Sequence, residues 1–203
     1  MRKTEEEQAI NDQSPSPKET LILDCALKLL IETGDAGLTL RKIADCAGMR
    51  LSNVQYYFKS RDDILTAMVG RYFEDCTASL VRLTQESEVR TTRERVHFLV
   101  LSGLSHGLEI SDMCRAFREI WAISSRNAVI DACLMAYYRT FSDVMIDFAF
   151  QQDIDEASRD KLKSLLVPFF EGYSITARSL PLQIEETAAM LTDLAMSVAG
   201  DRA

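Results

Sequence analysis

From Thr92 to Val198 every apolar period in this sequence is that of a helix, with no alternating run and no Asn-Gly turn to close a hairpin. Apolar residues spaced three and four apart form one stripe on a helix but scatter over both faces of a strand, so the region has to be all-α. Turn-rich breaks near 87–92, 107–111, 124–127, 151–155 and 179–181 cut it into about five helices of ordinary length.

The upstream residues obey the same period. Ser16-Pro17-Lys18-Glu19 combines an N-cap serine, a proline at the first helical position and a glutamate placed for a capping box. Leu21, Ile22, Cys25, Ala26, Leu29 and Leu30 then repeat at helical spacing, and Gly34 supplies a left-handed stop. Thr39 caps a short second helix with Leu40, Ile43, Ala44 and Ala47 on one face, ended by Gly48 in a turn expected to be too tightly packed for a side chain. In the run Ser52-Asn53-Val54-Gln55-Tyr56-Tyr57-Phe58, Val54 and Phe58 form an inward i, i+4 pair, which turns Ser52, Asn53, Gln55 and Tyr56 outward. A second capping box at Ser60-Arg61-Asp62-Asp63 opens a long helix from Ile64 through Leu83, which brings the expected total to about nine helices.

A chain of 203 residues with 47% hydrophobic and 27% charged residues can bury one large core, or a small module docked on a larger one. The five cysteines (Cys25, Cys46, Cys76, Cys114, Cys133) are odd in number and never spaced C-x-x-C, which argues against a disulfide framework or a zinc site and for a reducing cytoplasm. An oxidant sensor among them requires a thiol of depressed pKa. His97 and His106 are too isolated to argue a metal, and no cofactor motif is present. No apolar run has the length of a membrane span, and the polar start lacks a signal-peptide core. Residues 1–15, including Arg2 and Lys3, read as a disordered tail.

The net charge of −8 is unpromising for a nucleic-acid binder until its distribution is read. Between Arg41 and Arg61 the charges are Arg41, Lys42, Arg50, Lys59 and Arg61 against Asp45 alone, a local excess of +4. An acidic body with one basic stretch leaves a single small surface to meet a duplex.

That stretch is also two short helices joined by a glycine-containing turn, the second offering polar and aromatic groups outward, as a DNA-reading helix-turn-helix requires. Asn53 and Gln55 present amide donor and acceptor to adenine, and an arginine forks onto guanine. Tyr56 and Tyr57 offer hydroxyls to phosphates and ring faces to thymine methyls. The run from Leu38 to Met49, continued from Asn53 to Leu65, closely resembles the DNA-binding domain of TetR-type repressors, in register from Thr20 to about Arg71. The resemblance implies that Arg41, Leu51, Ser52, Asn53 and Tyr56 face bases, and that Thr39, Tyr57, Lys59 and Arg61 face phosphates. Two departures stand out: Arg50 replaces a common capping serine, and Gln55 a frequent tyrosine. Arg50 is therefore a direct DNA contact, or Ser52 takes over as the cap.

The resemblance further implies a helix-turn-helix domain over 16–65 and a helical effector-binding and dimerisation domain over 66–203. Stripes Leu162, Leu166, Phe169, Phe170 and Tyr173, then Met190, Leu191, Leu194 and Val198, fit two helices near 159–178 and 184–198. By period alone these stripes face the protomer's own core; in TetR-like proteins the last two helices pair with their copies as a four-helix bundle. For an effector pocket the large side chains Phe98, His106, Met113, Phe117, Trp121, Tyr138, Phe141 and Met145 are the candidates, though each can also simply fill the core. The acidic group Asp153, Asp155 and Glu156 stands without a paired histidine, P-loop or nucleophile elbow, so catalysis is not expected. The expected function is a cytoplasmic repressor that binds a double-stranded DNA operator as a homodimer and is released by a small-molecule effector. An activator or partner-controlled regulator of the same fold is the alternative.

Overall fold

The computed structural model describes residues 16–108, 112–151 and 154–200, which divide into two compact units with the boundary between Met68 and Val69. The expected tail over 1–15 and Asp153 lie outside the described residues. Among the described residues there are nine α-helices and no strand.

In the first unit, α1 (Pro17–Thr33) starts with a reciprocal capping box: the Glu19 N–H donates to Ser16 Oγ (3.3 Å) and the Ser16 N–H to Glu19 Oε2 (2.7 Å). It ends at Gly34, whose φ of 69° with ψ of −178° is a region only glycine enters freely. The buried face is Ile22, Leu23, Cys25, Ala26 and Leu30, whereas Leu21 is exposed. The expected stripe thus lies one residue round: Leu21 and Leu23 both satisfy helical spacing, and only packing chooses between adjacent positions.

Thr39 caps α2 (Leu40–Cys46) by accepting from the Lys42 N–H. The helix closes with the Gly48 N–H donating to the Asp45 carbonyl and the Met49 N–H to the Ala44 carbonyl, the paired bonds of a Schellman motif with Gly48 at φ 62°. A Cβ built on Gly48 would meet nothing within 4 Å. The glycine is therefore demanded by its backbone angle, and the expectation of a turn too crowded for a side chain is corrected. Gly48→Ala is expected to cost about 1 kcal/mol of stability, with Gly48→Asn recovering much of that because asparagine tolerates the left-handed region; thermal melts of the two variants check this.

Arg50 occupies the N-cap position of α3 (Leu51–Tyr57) without a side-chain capping bond, and Ser52 lies inside the helix. The cap is thus not transferred to Ser52, and the exposed Arg50 side chain is left for contacts. Val54 is fully buried, and Phe58, half-buried, ends the helix. Ser60 and Asp63 exchange capping bonds (2.9 and 3.1 Å) ahead of α4 (Arg61–Glu86), whose first turns bury Ile64, Leu65 and Met68.

In the second unit, α5 (Thr92–Leu108) packs against α7 (Ala128–Phe150), α8 (Glu156–Thr176) and α9 (Ile184–Ala199), with α6 (Asp112–Ser124) against α7. The core joins Val96, Val100 and Leu104 of α5 to Met145, Ile146 and Phe150 of α7, Leu162, Leu166 and Tyr173 of α8, and Leu191 and Ala195 of α9. Arg95 is buried there, and among the described residues no carboxylate forms an ion pair with it. Its guanidinium donates to the carbonyls of Ala149 (3.0 Å) and Arg90 (2.6 Å) and to Thr92 Oγ1 (3.0 Å), satisfying one carbonyl at the C-terminal end of α7 and one just ahead of α5. The acidic group near 153–156 resolves into helix-start chemistry: Asp155 caps α8 by accepting from the Ser158 N–H (2.7 Å), and Glu156 pairs with Arg159. No helix among the described residues is long and apolar enough to cross a membrane.

Candidate nucleic-acid interface and internal cavity

Seven residues make α3 barely two turns long, and one buried residue, Val54, anchors it. The remaining side chains are consequently presented: Ser52, Asn53, Gln55 and Tyr56 are exposed, with Tyr56 74% accessible, while Leu51 is partly covered. Large aromatics are seldom left in water without use. Tyr56 is held in orientation by Tyr57, whose ring stands edge-on to it at 5.1 Å.

Around this face lie exposed Arg41, on α2, and Arg50, at the α3 N-cap. The Lys59 ammonium donates to the carbonyls of Gln55 (3.3 Å) and Tyr56 (3.4 Å), capping the C-terminal end of α3 and keeping a third N–H to offer. Thr39 Oγ1 accepts its capping bond and still has its own O–H to donate.

Arg61, expected to face a phosphate, has intramolecular partners as well. Its Nε donates to the Leu38 carbonyl (2.8 Å), its Nη2 to the Asp35 carbonyl (3.1 Å), and it forms an ion pair with the Asp35 carboxylate. A guanidinium with this many local acceptors fastens the start of α4 to the connection between α1 and α2. The sequence offered no sign of that, because Asp35 and Leu38 are far from it in the chain.

The second unit encloses a cavity of about 840 Å³, in the upper range of small-molecule sites. Five helices supply one face each: Cys76, Ser79, Leu80 and Leu83 from α4; Leu99, Ser102, Gly103, His106 and Gly107 from α5; Met113, Cys114, Phe117, Arg118, Trp121 and Ala122 from α6; Tyr137, Phe141 and Met145 from α7; Phe170, Glu171, Ser174 and Ile175 from α8. Of the residues expected to line it, His106, Met113, Phe117, Trp121, Phe141 and Met145 do so. Phe98 does not; it packs near Phe148. Tyr138 stands behind the wall, accepting from Trp121 Nε1 (2.8 Å) and donating to Glu171 Oε1 (2.9 Å).

Aromatic packing makes the inner wall rigid: Tyr137 stacks on Phe73 at 4.3 Å and meets Phe117 and Phe141 at 5.5 and 5.1 Å. Burial raises the Tyr72, Tyr137 and Tyr138 phenols well above their ordinary range, so all three stay protonated near neutral pH. Desolvation likewise pushes the Cys25 thiol up to about 12 and the Cys76 thiol up to about 11, the opposite of what an oxidant-sensing thiolate needs.

Sequence reasoning missed the contribution of α8. Glu171 was not singled out, and Phe170 was assigned to an interface between copies. A Cβ on Gly103 would come within 3.0 Å of the Phe170 ring, and one on Gly107 within 3.0 Å of Ser174 Cα. Gly107, read as a helix break, is therefore a helical residue that admits α8 closely. Two glycines four apart within a helical period were the available signal.

The stripes expected to pair between copies also divide. Leu166, Tyr173 and Leu191 lie in the protomer's own core, with Phe169 and Val198 packed against it. These side chains are already used within the chain, because Tyr173 and Leu166 on α8 and Leu191 on α9 all face its core. Met190 and Leu194 remain 53% and 47% exposed, one helical turn apart on α9. Ile175, Leu180 and Leu182 are exposed as well.

Comparison with known proteins follows this division. Residues 22–68 match the family model described as bacterial regulatory proteins, tetR family. Over 186 residues the chain is 41% identical to an uncharacterised helix-turn-helix transcriptional regulator in the dhlA 5′ region of Xanthobacter autotrophicus, covering 92% of each. Among solved structures, a transcriptional regulator from Streptomyces coelicolor A3(2) superposes with a TM-score of 0.72 at 18% identity, over 91% of this chain and 99% of that one. One from Saccharomonospora viridis, in complex with choline, gives 0.67 at 20% identity, over 89% and 96%.

Proposed function

Because the chain belongs to the TetR family of bacterial regulatory proteins, a family of helix-turn-helix transcriptional regulators and not of enzymes, we propose that it is a homodimeric repressor: it occupies a palindromic operator and leaves when a small molecule fills the α4–α8 cavity. The observation that carries the reading is the outward face of α3, where Asn53, Gln55 and a 74% exposed Tyr56 stand together in an otherwise acidic chain. Amides and a phenol at that position suit base edges, as does the fork of Arg41, and Arg50 and Lys59 beside them suit phosphates. Thr39, Leu51, Ser52, Tyr57 and Arg61 complete the proposed contact set, Arg61 while also fastening the start of α4.

Two features support the dimer and its control. Met190 and Leu194 give α9 an exposed apolar edge that a second copy would cover, and a dimer places two copies of α3 roughly 34 Å apart, one turn of the duplex. An effector bound to a conformation with another spacing shifts the population away from the operator. The S. viridis fold neighbour, crystallised with choline, shows that this fold admits a small molecule in at least one protein.

The test is a mobility shift with DNA flanking the protein's own gene, across a salt series and against unrelated competitor DNA. A sharp, competition-resistant shift that a metabolite library then dissolves is the expected result. Weak binding common to all sequences overturns the autoregulatory reading, and a shift strengthened by a library compound reverses the sign of control.

A further inference from the structure

The cavity wall is largely apolar and aromatic, and Glu171 is the carboxylate among its lining residues, with Arg118 and His106 as the basic ones. Glu171 lines it from α8, half-buried, and among the described residues no lysine, arginine or histidine forms an ion pair with it. Its one described hydrogen bond is from the Tyr138 hydroxyl to Oε1, and Tyr138 is itself held by the Trp121 N–H. This relay fixes the carboxylate in place and stabilises its charged form, while burial works the other way and holds its pKa above the ordinary carboxylate value. Of the two basic residues on the wall, exposed Arg118 is engaged with the Ser174 carbonyl at 2.8 Å, and His106 lies on α5.

A carboxylate removed from water without a counter-charge is costly, and a protein that keeps one in an aromatic chamber leaves a place for a positive group. Trp121, Phe117 and Phe141 present π faces and edges to the same chamber, and the negative ring face attracts a cation in the way the carboxylate does. We propose that the effector of this cavity is an organic cation, an amine or quaternary ammonium with an apolar or aromatic body, whose charged group meets Glu171 while its body lies against the aromatic wall. The inference rests on the cavity being the effector site. An anionic effector would be repelled by Glu171, and a neutral one would leave that carboxylate desolvated without compensation.

Trp121 is the sole tryptophan and lines the cavity, so its emission reports occupancy directly. Titration of the full-length protein with phenylbutylamine, phenylbutanol and phenylbutanoate holds the apolar body constant and varies only the charge. The amine is expected to bind at least about tenfold more tightly than the alcohol, with the carboxylate weakest. Glu171→Gln keeps the size and the acceptor for Tyr138; it should remove the amine's advantage and leave the alcohol within about twofold, which also shows that the variant is folded.

An alcohol that binds as tightly as the amine, or an amine whose advantage survives Glu171→Gln, overturns the cation assignment and leaves effector control standing. A flat response to all three overturns the cation assignment as well. Effector control itself falls only if no compound of the metabolite library alters the DNA complex.

Discussion

The double variant Asn53→Ala/Tyr56→Ala is expected to lose specific operator affinity by about a hundredfold or more while keeping its melting temperature. Each base-edge contact is worth roughly 1–3 kcal/mol of discrimination, so two removed together amount to two to four decades. Both side chains are exposed, and beyond the edge-on contact with Tyr57 neither contributes to the core that Val54 anchors, so the stability change should stay within about 0.5 kcal/mol. Mobility shifts with operator and unrelated DNA, alongside a thermal melt, make the measurement. Non-specific binding should survive, because Arg41, Arg50 and Lys59 are untouched. Operator affinity equal to that of the parent protein would remove α3 as the reading helix.

Met190→Asp with Leu194→Asp is expected to convert the proposed dimer to monomers and with it to abolish operator binding at working concentrations. In a two-fold interface each substitution occurs twice, so four carboxylates would be driven into an apolar contact, at a cost of several kcal/mol after relaxation. The monomer should remain folded, since both residues are about half exposed and the α9 contacts to the core run through Leu191 and Ala195. Sedimentation and circular dichroism read the two halves of this expectation. A variant that still sediments as a dimer places the interface elsewhere, with exposed Ile175, Leu180 and Leu182 as the next edge to alter.

Local rules written into neighbouring residues were legible from the sequence. The boxes Ser16/Glu19 and Ser60/Asp63, the Thr39 cap and the stop at Gly48 are short-range hydrogen-bond patterns, and each forms as its residues indicate. The outward set on α3 was equally legible, because burying Val54 on a two-turn helix leaves its other faces little choice. Six cavity residues were found by size and spacing alone, while the whole α8 wall with Glu171 was missed. Nothing local distinguishes that glutamate from a solvated one; its neighbours Tyr138 and Trp121 lie on other helices.

Arg61 shows the same limit from the other side. Its charge and position matched a phosphate contact, and only the folded chain brings Asp35 and the Leu38 carbonyl to its guanidinium. Leu21 and Leu23 of α1, or Leu191 and Leu194 of α9, carry the same hydrophobicity at compatible spacing, yet one of each pair is buried and the other exposed. Helical period, caps and turn residues thus determined the all-α class, the helix order and the outward face of α3, because those depend on interactions within a few residues. Tertiary packing alone decided which stripe faces inward, which charges are already paired and where a carboxylate meets an aromatic chamber, because burial and charge pairing are properties of neighbours that the chain brings together only when it folds.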